Sequence, residues 1–390
     1  MSLLIIKKLY FLYILNLLCV FMLIVLGCDN SNEDKKSESN NFNNNHTMDE
    51  VQSSVSMNKG TLNLEVGATE TLTLIITTTI SYNNTIIWTS ADDSFASISE
   101  DGVVTAISAG IVLITGRTAD NKFSADCSVT VTERETCDGL PNCVIYQGKA
   151  RTYMINVPNC YTSDSPAPLL FDFHGHGSNS FEQSYFSGMR ELSNEKCFIA
   201  LWPQGLNNSW NAESCCPPSS VTDVDDEGFV IALIDKISNE YTIDRKQVYA
   251  SGISNGGGMS HLLGVKQSDV FAAVAPFALP LALLHGTDFV ATSVIVFQAS
   301  DDEVIPISGY NGVSGEDSFN AWKNANGCIG NPVELLTESV DVDCRVYTDC
   351  TNDVETAYCV VPGDHVIYDN VPGVSLTSIA WDFMSRFSLD

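Results

Sequence analysis

Gly252-Ile253-Ser254-Asn255-Gly256 puts a serine between two glycines, at the end of the β-prone apolar run 247–251 and the start of a small-residue helical pattern. A serine at such a strand-to-helix bend is held in a strained backbone that pushes its hydroxyl out of the fold. The flanking glycines remove Cβ atoms that would strike the turn and the helix. A hydroxyl presented in this way can attack a carbonyl carbon. It is a poor nucleophile at neutral pH, so it needs a base to take its proton and a carboxylate to orient that base.

On an α/β-hydrolase sheet those partners follow the serine in the order acid, then histidine. Six histidines compete for the role of base. His46 lies in a polar tract, and His174 and His176 precede the serine. His261 falls seven residues beyond Ser254 on the same predicted helix, which suits a structural role. His285 comes before any good acid. His365, in Gly363-Asp364-His365, follows both the serine and a candidate acid. The acid is expected at the end of the predicted strand 293–299, where Asp301-Asp302-Glu303 follows. Asp302 is the first choice and Asp301 the alternative.

Acyl transfer also requires donors for the developing oxyanion. The backbone N–H of Asn255 is one candidate. The other is the backbone N–H of His176, in the loop His174-Gly175-His176-Gly177 after the strand 169–173. Read instead as metal ligands, that H-x-H pair lacks a nearby third ligand, and the chain has no C-x-x-C pair, so neither metal nor cofactor is expected. Trp210 is a candidate for stacking on an aromatic or sugar substrate, with a core position as the alternative.

These side chains must be positioned by a scaffold. Between 137 and 390, strand-like segments at 169–173, 198–202, 247–251, 271–276 and 293–299 alternate with helical patterns at 227–241 and 254–265. Strands spaced by helices predict a doubly wound, mostly parallel sheet. Ser254 then falls at the carboxyl end of a central strand, where open α/β sheets place their sites.

Residues 59–133 read differently. Leu62, Leu64 and Val66 alternate with polar residues, as do Leu72, Leu74 and Ile76, and an Asp101-Gly102 turn separates further short strands. This period-two pattern predicts a small all-β sandwich. The pieces Trp88-Thr89-Ser90, Asp101-Gly102-Val103-Val104-Thr105-Ala106 and Ala109-Gly110 resemble, in that order, a bacterial Ig-like domain of group 2. That resemblance implies a stalk, or a contact with carbohydrate or the cell surface.

Residues 29–58 are rich in Asn, Ser and acids and cannot bury a core. About 30 residues of such chain reach roughly 30 Å. Residues 1–28 resemble a bacterial lipoprotein signal: Lys7-Lys8, the apolar run 9–26, then Val25-Leu26-Gly27-Cys28, with Cys28 the lipidated residue. An uncleaved membrane anchor is the alternative. Either way the remainder is expected outside the cytoplasm, lipid-anchored or secreted.

The bulk numbers agree with that location. With 48 acidic and 19 basic residues among 390, the net charge of −29 disfavours nucleic acid and anionic lipid surfaces. Membrane contact is therefore expected only through the N-terminal lipid. Of 13 cysteines, ten fall between Cys137 and Cys359, an even set that predicts disulfides. Cys215 and Cys216 are adjacent, and each is expected to pair elsewhere because a bond between neighbours strains the backbone.

The segment 137–390 resembles the polyhydroxybutyrate depolymerase/feruloyl esterase group (esterase family 1) of α/β-hydrolases. The resemblance is carried by Gly252 to Gly257, Trp202-Pro203-Gln204-Gly205, Trp210-Asn211 leading to Cys215-Cys216, and Asp226-Glu227-Gly228-Phe229-Val230. Tyr241 to Tyr249, Phe271 to Ala275, and Trp322 with Asn326-Gly327-Cys328 extend it. It implies ester hydrolysis through an acyl-enzyme, with Ser254, Asp302 and His365 as triad, on a small ester or an ester-bearing polymer. Two departures stand out. Gln298-Ala299-Ser300 replaces the His-Gly that usually precedes the acid, and Val366-Ile367-Tyr368 follows the histidine in place of a Trp-Pro pair. A non-catalytic surface adhesin and a serine peptidase with the same triad are the competing functions.

Overall fold

The computed structural model of the protein describes residues 53–213, 215–281, 286–335 and 342–390. Cys28, the signal-like segment and most of the spacer lie outside the described residues, as does His285. The chain divides into two compact units, one of 73–87 and 116–125 with the chain up to Asn58, the other of 59–72, 88–115 and 126–390.

The N-terminal region is all β. Its strands are β1 (Ser54–Met57), β2 (Thr61–Glu65), β3 (Thr69–Thr71), β4 (Leu74–Thr77), β5 (Ile86–Ser90), β6 (Ala96–Ile98), β7 (Val103–Ala106), β8 (Gly110–Thr118) and β9 (Ser124–Thr132). They form a four-stranded sheet β2-β9-β8-β5, a three-stranded sheet β3-β7-β6 and the pair β1-β4. In β8, Val112 and Ile114 are buried while Ile111 and Leu113 are exposed, and Cys127, Val129 and Val131 line the inner face of β9. That is the alternation expected of strands with one wet face.

The larger domain is built on β10 (Cys143–Tyr146), β11 (Lys149–Asn156), β12 (Ala167–Phe173), β13 (Ile199–Pro203), β14 (Ile243–Ile253), β15 (Ala273–Phe277), β16 (Ser293–Ala299), β17 (Val333–Glu334), β18 (Asp343–Tyr347) and β19 (Thr356–Val361). Their order is β10-β11-β13-β12-β14-β15-β16-β19-β18-β17. The six central strands, β13 to β19 in that order, run parallel, and antiparallel strands close both edges.

Apolar side chains leave both faces of this sheet. Leu169, Phe171 and Phe173 pack with Phe229, Val230, Leu233, Ile234 and Ile237 of the helix Asp226–Glu240, and with Met259, Leu262 and Leu263 of the helix Asn255–Lys266. Leu170 points the other way, among Met189, Leu192, Trp202, Tyr249 and Trp381. A parallel sheet covered on both faces carries near-continuous apolar strands, which explains why 169–173 shows no alternation.

Because the central strands are parallel, their carboxyl ends share one rim. The chain leaves β12 there at His174, β14 at Ser254, β16 at Ser300 and β19 at Pro362. Strand β12 has partners on both sides, β13 and β14, so the order reverses next to the nucleophile's strand, the position at which open sheets hold ligands.

The ten cysteines of this domain form five disulfides: Cys137–Cys143, Cys160–Cys197, Cys215–Cys216, Cys328–Cys350 and Cys344–Cys359. The expectation that Cys215 and Cys216 pair elsewhere is corrected. The other eight cysteines are satisfied among themselves, so the neighbours have only each other. Cys127 remains a free, buried thiol.

Candidate active site

Ser254 stands between β14 and its helix with φ 56° and ψ −122°, a left-handed conformation that side chains rarely adopt. Its N–H donates to the Phe277 carbonyl at 2.8 Å, and its own carbonyl accepts from Gly258 N–H at 2.9 Å, so the bend is held from both sides. A Cβ at Gly256 would lie 2.1 Å from the Phe173 carbonyl oxygen, and one at Gly252 would lie 2.6 Å from the Gly256 oxygen. Backbone therefore passes where side chains would otherwise be, and only glycine permits the turn. Ser254 itself stays partly open to solvent.

After β16, Asp302 turns inward. Its Oδ2 accepts from His365 Nδ1 at 2.7 Å, and its Oδ1 accepts from the N–H groups of Val304 and Ile305, each at 2.8 Å. The carboxylate side chain is fully shielded, whereas the imidazole remains 17% exposed. With Nδ1–H donated to the carboxylate, Nε2 is the nitrogen left as the ring's acceptor. Asp301 serves a different purpose: its Oδ2 accepts from Ser300 Oγ and from Gly363 N–H, tying the two loops together. Among the described residues Ser254 Oγ and His365 are not hydrogen-bonded to each other. The two segments are nevertheless linked, since Tyr368 lies 5.1 Å from the Phe277 ring and Phe277 holds the Ser254 N–H.

The loop after β12 closes over the same bend. A Cβ at Gly175 would lie 3.5 Å from that of Ser254. The backbone N–H groups of His176 and Asn255 donate to no protein acceptor among the described residues, although the neighbouring Gly177 N–H is bonded to Asn208. The His176 ring donates from Nε2 to the Pro217 carbonyl at 2.8 Å. His174 is buried: its Nδ1–H reaches the Gly175 carbonyl and its Nε2 accepts from Gly205 N–H at 3.0 Å. Burial holds its pKa down to about 4, so the ring stays neutral.

Trp210 requires a correction. It is fully buried, stacked edge-on against Phe173 at 5.2 Å, and its indole N–H donates to the His174 carbonyl at 2.9 Å. Its backbone is clamped by the Asn255 amide, which accepts from Trp210 N–H at 2.7 Å and donates to the Trp210 carbonyl at 3.0 Å. Trp210 has no face for a substrate, and the core position is the one it occupies. It braces the 174–177 loop, a role invisible in the sequence because the indole's partner is a backbone carbonyl 36 residues away.

His261, set aside in sequence as structural, is fully enclosed. Trp322 Nε1–H can only donate, so His261 Nδ1 accepts it at 2.9 Å, and Nε2–H faces the Leu279 carbonyl at 3.1 Å. Burial depresses its pKa to about 4 from 6.5. The unfolded chain therefore takes up a proton below about pH 6.5 that the folded ring refuses until about pH 4. Stability from this group is complete above that window and is lost as pH falls through it, by about 1.4 kcal/mol per pH unit. His261→Gln is expected to flatten the acid limb of stability by that slope, read from urea midpoints at pH 7.5 and pH 5.

Comparison with known proteins agrees with this architecture. Residues 52–129 match the profile of the bacterial Ig-like domain (group 2). The chain is 30% identical over 262 residues to feruloyl esterase B of Piromyces equi, covering 61% of this chain and 46% of that protein. It is 26% identical over 256 residues to feruloyl esterase C of Emericella nidulans, covering 61% of this chain and 85% of that protein. It is likewise 26% identical to feruloyl esterase D of Neurospora crassa, covering 83% of it. The chain thus spans about half the length of the first relative and most of the other two. The larger domain has the doubly wound, mostly parallel sheet and serine elbow of the α/β-hydrolase fold. The larger domain carries both elements on one rim: the serine elbow after β14 and the Asp302–His365 pair across β16 and β19.

Proposed function

We propose that this protein is an extracytoplasmic serine carboxylic ester hydrolase acting through an acyl-enzyme. The observation that carries the reading is the 2.7 Å bond from His365 Nδ1 to the shielded carboxylate of Asp302, on the rim that presents Ser254. In the proposed reaction, Ser254 Oγ attacks the ester carbonyl carbon while His365 Nε2 takes its proton. The oxyanion accepts hydrogen bonds from the N–H groups of Asn255 and His176. Collapse breaks the C–O bond, and the imidazolium returns its proton to the departing alcohol. Water repeats the sequence on the acyl-enzyme, releasing the acid and restoring the serine. The contact between serine and histidine is commonly long in unliganded sites and tightens when substrate is bound.

The substrates proposed are hydroxycinnamoyl or acetyl esters on polysaccharide, in keeping with the feruloyl esterases to which the chain is similar. Five disulfides suit an oxidising compartment. The proposed arrangement is a lipid on Cys28, the spacer 29–58, the Ig-like domain at 59–133 as stalk, and the esterase domain at 137–390. The mature protein is expected to hydrolyse methyl ferulate and to leave emulsified polyhydroxybutyrate turbid. Clearing of the polyester with no release of ferulate would overturn the polysaccharide-ester assignment.

A further inference from the structure

Strand β12 is covered on both faces, so position 172, between Phe171 and Phe173 and on the face that also buries Leu170, is a core position that calls for an apolar residue. The chain places Asp172 there, fully buried. Its Oδ2 accepts from Trp202 Nε1 at 2.9 Å, and its Oδ1 accepts from Gln183 Nε2 at 2.9 Å and from Ser251 Oγ at 3.3 Å. Ser251 lies on β14, three residues before the nucleophile. Gln183 uses its second amide hydrogen on the phenolic oxygen of Tyr368, at 3.0 Å. Tyr368 is three residues beyond His365.

The helix that supplies Gln183, Ser180–Phe186, is turned against its own composition. It buries Gln183 and Ser184, and it exposes Phe181, Tyr185 and Phe186 by 66%, 73% and 51%. Every exposed Phe, Tyr or Trp side chain among the described residues is on this one helix. An amphipathic helix left to the hydrophobic effect would turn those rings inward. Forgoing their burial to place an amide in the core means that the amide satisfies something the core cannot do without, since a buried carboxylate and phenol left unpaired are costly. Burial raises Asp172 to about 6 against the pull of its donors, and it holds the Tyr368 hydroxyl in its neutral form.

We propose that Gln183 and Tyr368 are positioning residues: the chain Asp172–Gln183–Tyr368 fixes the loop carrying His365 to the ends of β12 and β14, and so sets the imidazole relative to the Ser254 bend. This rests on the reading of Ser254 and His365 as nucleophile and base. The loop needs such an anchor. Between Val361 and the helix Leu376–Met384 it holds one short turn, Ile367–Asp369, and from the β16 side it is fastened by backbone bonds at Ser300 and Asp301 and by the Asp301 and Asp302 carboxylates, while Ile367 and Val371 anchor it apolarly. Tyr368 also carries the aromatic contact to Phe277, whose carbonyl holds the nucleophile's N–H. One side chain thus addresses both halves of the reaction centre.

The test compares Tyr368→Phe, Gln183→Leu and the double variant in the full chain. With p-nitrophenyl acetate, kcat per site titrated with a fluorophosphonate falls about tenfold or more in each single variant, while KM stays within about twofold. The double variant loses no more than the worse single one, because both break the same link. Imidazole 15N signals of His365, independent of turnover, report one fixed Nδ1–H tautomer in the wild type and tautomer averaging in both variants. If the wild type hydrolyses no ester, the functional reading fails while these signals still decide the positioning role. Unchanged His365 signals in both single variants overturn it. So does a lowered Tm with kcat per titrated site intact, which would leave the network a purely structural part.

Discussion

Ser254→Ala is expected to lower p-nitrophenyl acetate turnover by about 10⁶-fold and to abolish covalent labelling by a fluorophosphonate. The size of the loss follows from removing the only atom that bonds to the acyl carbon. What survives is the background that two oxyanion donors and substrate binding give to attack by water, about 10³ to 10⁴ over the uncatalysed rate. The substitution keeps the Cβ and therefore the backbone strain at φ 56° unchanged, so thermal stability should stay close to wild type. Turnover that persists in this variant would remove Ser254 from the mechanism.

Asp302→Asn is expected to cost about 10⁴ in kcat. The carboxylate faces three donors at once: His365 Nδ1–H on Oδ2, and two backbone N–H groups on Oδ1. An amide has one acceptor oxygen to offer. If that oxygen keeps the two backbone donors, the amide nitrogen turns toward the histidine and forces Nδ1 to accept. The remaining proton then sits on Nε2, pointed at the serine whose proton it should receive. Asp301→Asn is the matched control, because Asp301 holds Ser300 and Gly363 and makes no bond to the imidazole. It should leave turnover near the wild-type rate. A reversed order of effects between the two variants would reassign the acid.

The contrast between these neighbouring acids shows how far the sequence could be read. Strand β16 is expected at 293–299 and is found there, because a buried central strand is a short unbroken apolar run. The elbow is legible for a local reason, as both glycines are demanded by backbone within a few residues or on the next strand. Strand β19, which carries the chain toward His365, has no counterpart in the sequence reading. Its Thr356, Tyr358, Val360 and Val361 favour a strand, but its place beside β16, some 60 residues away, is set by tertiary pairing. Asp302 could be preferred over Asp301 by position alone. The hydrogen bonds that distinguish them depend on where the 363–365 loop returns, which is tertiary information.

The substrate role weighed for Trp210 and the separate partners expected for Cys215 and Cys216 both give way to tertiary contacts. A tryptophan near a reactive serine invites a substrate role, but its indole found a backbone carbonyl instead. Adjacent cysteines look unable to bond until every other thiol of the domain is accounted for. The helix Ser180–Phe186 is the hardest case. Its exposed aromatics and buried amide invert the usual rule, so no periodicity argument could have turned it the right way round.

The crowding around the serine turn has a practical corollary. Gly252, Gly256 and Gly257 each face backbone oxygen within 2.6 Å of any added carbon, so those positions admit no neighbour in sequence space. The residue between them meets no such wall, and exchanging its hydroxyl for hydrogen silences the chemistry while the surrounding cleft keeps its shape. A chemically silent copy of this protein can therefore serve as bait, retaining from polysaccharide extracts whatever acylated material the proposed hydrolase acts on.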